Sequence, residues 1–155
     1  MLARASIMSY VLCVNLSLED RRRVWVHDTP EDALVFYNRL FDEAPAAMVV
    51  TQPNFLVTDA NIAARHLLQR SLTTLQGRPF EHNVSQQDRT AFSAIQREII
   101  EKPGPHTRPL LLRPADDRNV EVSMIATAFR DSNENADFVM LILLERGENI
   151  SSDIL

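Results

Sequence analysis

Residues 44–89 read APAAMVVTQPNFLVTDANIAARHLLQRSLTTLQGRPFEHNVSQQDR. Two short apolar runs, Met48–Thr51 and Leu56–Thr58, flank Gln52-Pro53-Asn54. Proline and asparagine favour a turn, so the segment predicts a β-hairpin. Asn61 stands where a helix cap belongs, because its side-chain oxygen can accept from a free amide of the first turn. The helix it opens buries Ala64, Leu67 and Leu68. Ser71-Leu72-Thr73-Thr74 starts a shorter helix, closed by Gly77 and Pro79. Ser85-Gln86-Gln87-Asp88 reads as a capping box. It opens the longest helix of this region, with Phe92, Ile95 and Ile99 on the inner stripe and Pro103-Gly104-Pro105 at its end.

The flanks extend the pattern in both directions. Upstream, Thr29-Pro30-Glu31-Asp32 combines an N-cap threonine, a first-turn proline and acids at the positive end of a helix dipole. Ala33, Leu34, Tyr37, Leu40 and Phe41 then share one face, Asp32, Asn38, Arg39 and Asp42 take the other, and Pro45 stops the helix. Downstream, Thr107–Arg113 is a strand, and Pro114-Ala115-Asp116-Asp117 is a turn. In Asn119–Phe129, Val120, Val122, Met124, Ala126 and Ala128 alternate onto one face. A polar loop over 130–137 leads into Phe138–Leu144. The expected strands are 47–51, 55–59, 107–114, 118–130 and 137–145. This order predicts an α+β fold: a five-stranded antiparallel sheet with helices packed on one face, plus an N-terminal helical or extended segment. Residues 1–29 form that extension, 30–146 the domain and 147–155 a C-terminal linker. Within the extension, Leu12, Val14, Leu16 and Leu18 alternate like a strand, whereas Ser17-Leu18-Glu19-Asp20 equally caps a helix reaching Trp25.

Composition narrows the function classes. The chain has 155 residues, enough for one domain, with 45% apolar and 24% charged residues. Its formal charge of −5 supplies no field for nucleic acid or an anionic membrane. Of its 16 basic residues only Lys102 is a lysine, an arginine bias that points to a GC-rich bacterial genome. The stretch Ile7–Leu18 is interrupted by Ser9, Asn15 and Ser17, so it falls short of a membrane span. It loosely resembles a signal peptide, but no small-residue cleavage site follows. The single cysteine, Cys13, allows no intrachain disulfide and points to a reducing, cytoplasmic location.

At this level of detail the chain resembles the PAS family. Ala44-Pro45-Ala46-Ala47-Met48-Val49-Val50-Thr51 resembles the family's opening strand. Val57-Thr58-Asp59-Ala60-Asn61 is similar to its step from second strand to helix. Leu67-Leu68, Leu75, Gly77-Arg78-Pro79 and Asp88-Arg89 fall in the family's order and spacing, and together the elements cover about three quarters of the chain. Three positions depart from the pattern. Phe55 stands where the hairpin usually has glycine, so the bend is expected to rely on Asn54 adopting a left-handed conformation. Ile62 replaces a frequent proline, and Gln69 a common glycine.

The resemblance implies a sensory or signal-coupling domain and directs attention to its cofactors. Flavin photosensors of the family need a cysteine in the short helix after the Gly-Arg segment, where this chain has Phe80. Haem-binding members place a histidine on the long helix, and none lies between Asp88 and Lys102. No cofactor is therefore expected, which leaves an unidentified small ligand open. Candidate pocket residues are Val57, Leu67, Phe80, Phe92, Ile95, Leu111, Val122, Met124 and Leu141, with plain core packing as the simpler account of each. His27, His66, His82 and His106 lack metal-ligand spacing and read as exposed polar residues, so no metal is expected. With 3 glycines there is no phosphate cradle, and no nucleophile motif appears, so no catalytic residue is expected. A cone-shaped isomerase would need a buried aspartate or a tyrosine facing an apolar pocket, and Tyr10 and Tyr37 both precede the sheet.

The expected role is a sensory or regulatory domain of a signal-transduction or transcription-regulatory protein. It would couple small-ligand or partner binding to a downstream effector. The rival reading is a ligand-free dimerisation module. In either case a homodimer is expected through Trp25, Leu34, Tyr37 and Leu40, an apolar stripe larger than one sheet needs to cover it. The same stripe could instead cap the chain's own sheet.

Overall fold

The computed structural model describes residues 29–147. The expectations for Trp25, Cys13, His27 and the rest of residues 1–28, and for 148–155, lie outside the described residues. The described residues fall into two compact units, divided between Ala44 and Pro45.

The first helix, α1, spans Pro30–Glu43. The Thr29 hydroxyl accepts from the Asp32 N–H at 3.1 Å, as its cap sequence requires. Ala33 and Phe41 are buried and Leu34 and Tyr37 half-buried, but Leu40 is 52% exposed.

In the second unit, β1 (Ala47–Thr51), β2 (Val57–Ala60), β3 (His106–Leu112), β4 (Val120–Arg130) and β5 (Ala136–Glu145) form one sheet in the order β2-β1-β5-β4-β3. Every pairing is antiparallel. Between β2 and β3 run α2 (Ile62–Leu68), α3 (Leu72–Leu75), 3-10 turns over Phe80–Asn83 and Gln86–Asp88, and α4 (Arg89–Glu101). The inner sheet face and these helices share one apolar cluster, which includes Val49, Leu68, Leu75, Phe92, Ile99, Val122, Met124 and Leu141.

Local chemistry explains most boundaries. Asn61 is fully buried and makes three bonds: its Oδ1 accepts from Ala64 N–H (3.0 Å) and Met48 N–H (2.9 Å), and its Nδ2 donates to Ala46 C=O (2.8 Å). One side chain thereby caps α2 and ties it to the entrance of β1. Ser71 caps α3 through Thr74 N–H. The capping box expected at Ser85 does not form. A 3-10 turn intervenes, and Asp88 instead accepts from Leu111 N–H at 2.8 Å, stapling the start of α4 to the edge strand.

The hairpin turn also differs from expectation. Asn54 is not the left-handed residue; Phe55 is, at φ +64°. Phe55 N–H donates to Gln52 C=O (2.8 Å) and Gln52 N–H to Leu56 C=O (2.9 Å). This three-residue loop places its bulge residue, normally glycine, at Phe55. The Asn54 side chain accepts from Leu56 N–H instead. Because Phe55 leaves extended geometry, β2 begins at Val57 rather than at 55.

The chain itself covers β2 at Val57 and the C-terminal end of β3. Along β2, Val57 N–H donates to Arg78 C=O and Gly77 N–H to Val57 C=O (2.9 and 2.8 Å). Along β3, Ser85 N–H donates to Leu111 C=O at 2.8 Å, and Pro109 has no N–H to offer. Such edges resist strand addition by another molecule.

Candidate functional site

Most of the candidate pocket residues assemble into one buried apolar cluster. Val57, Phe80, Phe92, Val122, Met124 and Leu141 are all 0–2% exposed and belong to the same cluster. Leu67 and Ile95 are half-buried against it. Leu111 does not join them and corrects the sequence reading. In the β3–β4 register Leu110 pairs with Val122 and Leu112 with Val120, while Leu111 pairs with the exposed Glu121 on the other face. The residues β3 contributes to the interior are Leu110 and Leu112, at 3% and 0% exposure.

Three aromatic rings sit at the centre. Phe55 meets Phe92 edge-on, with centroids 6.0 Å apart and planes at 82°. Phe80 lies tilted against Phe92 at 5.6 Å. These are favourable quadrupolar arrangements. Phe55 did not figure among the sequence candidates. The signal was present, since a large apolar residue in a turn that wants glycine must be doing something with its ring.

Three clefts open on the surface. One of about 520 Å³ is lined by Ser85, Gln86, Gln87, Arg113, Asp117 and Asn119. A second, about 530 Å³, lies among Pro45, Ala63, His66, Leu67, Leu144 and Glu145. A third, about 300 Å³, runs beside β3 past Asp88, Ile95, Pro109 and Leu111. None of the three is lined by the aromatic trio.

Asp59 on β2 is buried at 3% exposure, its Oδ1 accepting from Ala60 N–H at 2.8 Å, whereas the ion pairs lie at the periphery. Arg108 Nη2 lies 2.7 Å from Glu98 Oε2, linking β3 to α4, and Lys102 Nζ is 3.5 Å from the other oxygen. Desolvation works to raise the Glu98 pKa, but the Arg108 hydrogen bond and charge, with Lys102, outweigh it and hold the carboxyl below its ordinary value. Asp116 is also held low, by the Arg118 backbone and guanidinium N–H groups. His66 and His82 are exposed, and among the described residues no three metal-binding side chains gather. Among the described residues no helix is long and apolar enough to cross a membrane.

The five antiparallel strands, the helical crossover and the Asn61 tie fit one family, and its sequence pattern, the PAS fold, matches residues 41–149. The chain belongs to the PAS family. Similar solved structures include a PAS domain from Colwellia psychrerythraea, with TM-score 0.69 and 17% identity over 75% of this chain and 98% of that one. Another is the PAS domain of an HTR-like protein from Haloarcula marismortui, with TM-score 0.64 and 15% identity over 74% and 93%. A third is a domain of a sensory box sensor histidine kinase/response regulator from Geobacter sulfurreducens, with TM-score 0.61 and 12% identity over 76% and 97%. At such identities the likeness is one of fold. No curated protein matches the chain. In this PAS domain Phe55 occupies the hairpin bulge and packs against Phe92.

Proposed function

We propose that this PAS domain is a non-catalytic regulatory module of a signalling or transcription-regulatory protein. In this reading it couples protein contacts to a downstream effector as a homodimer. The observation that carries it is the packed interior: residues that would line a ligand chamber fill one another's space, and a drug-sized ligand needs a few hundred Å³. The chain's own bonds along β2 and the end of β3 leave sheet faces and flanking segments as the larger surfaces for contact. On α1, Val35 and Leu40 stand 60% and 52% exposed. Similar domains in sensor histidine kinases, such as the Geobacter sulfurreducens protein, support a signalling context. The signal would act by population shift, a partner favouring one arrangement of the flanking segments over another.

Light scattering on the full chain and on a chain lacking residues 1–29 tests this reading. The full chain is expected to be dimeric, and the shortened chain monomeric with a cooperative melt. A full chain that is monomeric at high micromolar concentration overturns the dimer. A shortened chain that fails to fold shows instead that the segment caps its own domain.

A further inference from the structure

Ser85 is 4% exposed, and its hydroxyl has no hydrogen-bond partner. It precedes a 3-10 turn without capping it. Burying an unpaired hydroxyl is costly, so a native chain that keeps one calls for an explanation. Arg70 Nε and Asn83 Oδ1 are also buried and unpaired, but of the three residues only Ser85 lines one of the clefts described above. That cleft lies outside the core. Val84 and Leu112 bridge the crossover to β3, and both are fully buried in the apolar cluster. Successive residues of extended chain alternate sides, so Ser85 and Arg113 turn away from that cluster.

We propose that this cleft binds a small zwitterion of the α-amino-acid class, its carboxylate held by Arg113 and the Ser85 hydroxyl and its ammonium by Asp117. The cleft measures about 520 Å³, room enough for such a molecule, and its lining carries one cation, one anion and the amides of Gln86, Gln87 and Asn119. Arg113 Nε donates to Asp117 Oδ1 at 3.0 Å, with the two side chains 53% and 72% exposed. So exposed a pair contributes little, and opening it to admit a ligand costs little. A zwitterion replaces the one pair by two, guanidinium with carboxylate and carboxylate with ammonium. A simple anion would meet the Asp117 charge and a chain of formal charge −5, whereas a zwitterion has no net charge to repel. The three amides offer donors and acceptors to a polar ligand side chain. Occupancy would fasten the crossover at Ser85 to the β3–β4 turn at Asp117 and Asn119.

The test follows backbone amide resonances of the full chain as L-glutamine is added to about 20 mM, a range that reveals millimolar binding. The signals of Ser85, Gln87, Arg113 and Asn119 should move together and saturate. Glutaramate, which is L-glutamine without its ammonium, should bind about ten-fold or more weakly, as should L-glutamine to the Ser85→Ala and Arg113→Gln chains. Without ligand, Ser85→Ala should be at least as stable in urea as the native chain, because it deletes a hydroxyl that has no partner. No saturable movement with L-glutamine overturns the proposal and leaves the packed-interior reading standing. Equal binding of glutaramate overturns the zwitterion. Movement at Val122, Met124 and Leu141 instead overturns both, since the ligand would then enter the interior. A Ser85→Ala chain that is less stable than the native one, or fails to fold, shows that the hydroxyl is already bonded and removes the ground of the proposal.

Discussion

Replacing Phe55 by alanine and by glycine measures the strain at the hairpin directly. Removing a buried phenylalanine ring costs about 3–5 kcal/mol through lost transfer energy and the void left behind. Phe55, at 3% exposure and in ring contact with Phe92, should fall in that range as alanine. At an ordinary core position, glycine is worse still. It loses one more methyl, about 0.8 kcal/mol, and further backbone entropy of about 0.5–1 kcal/mol. At φ +64° the balance changes, because a non-glycine residue there carries about 1–2 kcal/mol of steric penalty that glycine escapes. The two contributions cancel or favour glycine. Phe55→Gly is therefore expected to unfold in urea at or above the midpoint of Phe55→Ala, with both well below the native chain. Far-UV circular dichroism reads the transition, and an unchanged slope confirms that midpoints compare stabilities. A glycine variant less stable than the alanine variant by about 1 kcal/mol or more would refute the strain, since that is the ordinary core result.

Three further outcomes can be checked. Asn61→Ala removes the cap of α2 and both ties to the start of β1, leaving buried backbone groups unpaired; chemical denaturation should show a loss of about 2–4 kcal/mol. Glu98 has a folded pKa below its unfolded value, so its contribution is complete above the unfolded value of about 4.3 and disappears as pH falls through the folded one. Melting temperatures of the native chain should thus drop more steeply than those of Glu98→Gln below about pH 4.5, and parallel curves would show that the Arg108 pair adds nothing. The purified protein is expected to be colourless, because Phe80 stands where a flavin would need cysteine and α4 carries no histidine. A Soret or flavin absorption band would contradict that, and His66 and His82 would be the first residues to replace.

Local rules made much of this fold legible. The clean alternation from Val120 to Ala128 identifies the inner face of β4, and Asn61 and Ser71 cap as their positions imply. Long-range pairing was not legible. Leu110-Leu111-Leu112 carries no alternation, so only the register against β4 shows that Leu111 faces away from the core. Asp88 could cap its own helix or reach elsewhere. Its choice of Leu111 N–H, 23 residues away, depends on how the crossover meets the edge strand. The turn at Phe55 departs from expectation for a related reason. Turn propensity favours a left-handed Asn54, but the hairpin register places the bulge one residue later, and burial of the ring offsets the backbone penalty.

Native mass spectrometry of the full chain, sprayed at micromolar concentration from a gentle buffer, tests the central claim most directly. A packed PAS module acting through protein contacts predicts a dimer at twice the 17.6 kDa polypeptide mass, with no added non-protein component. A monomer carrying a tightly held small molecule would contradict it, and would make the interior a ligand chamber after all.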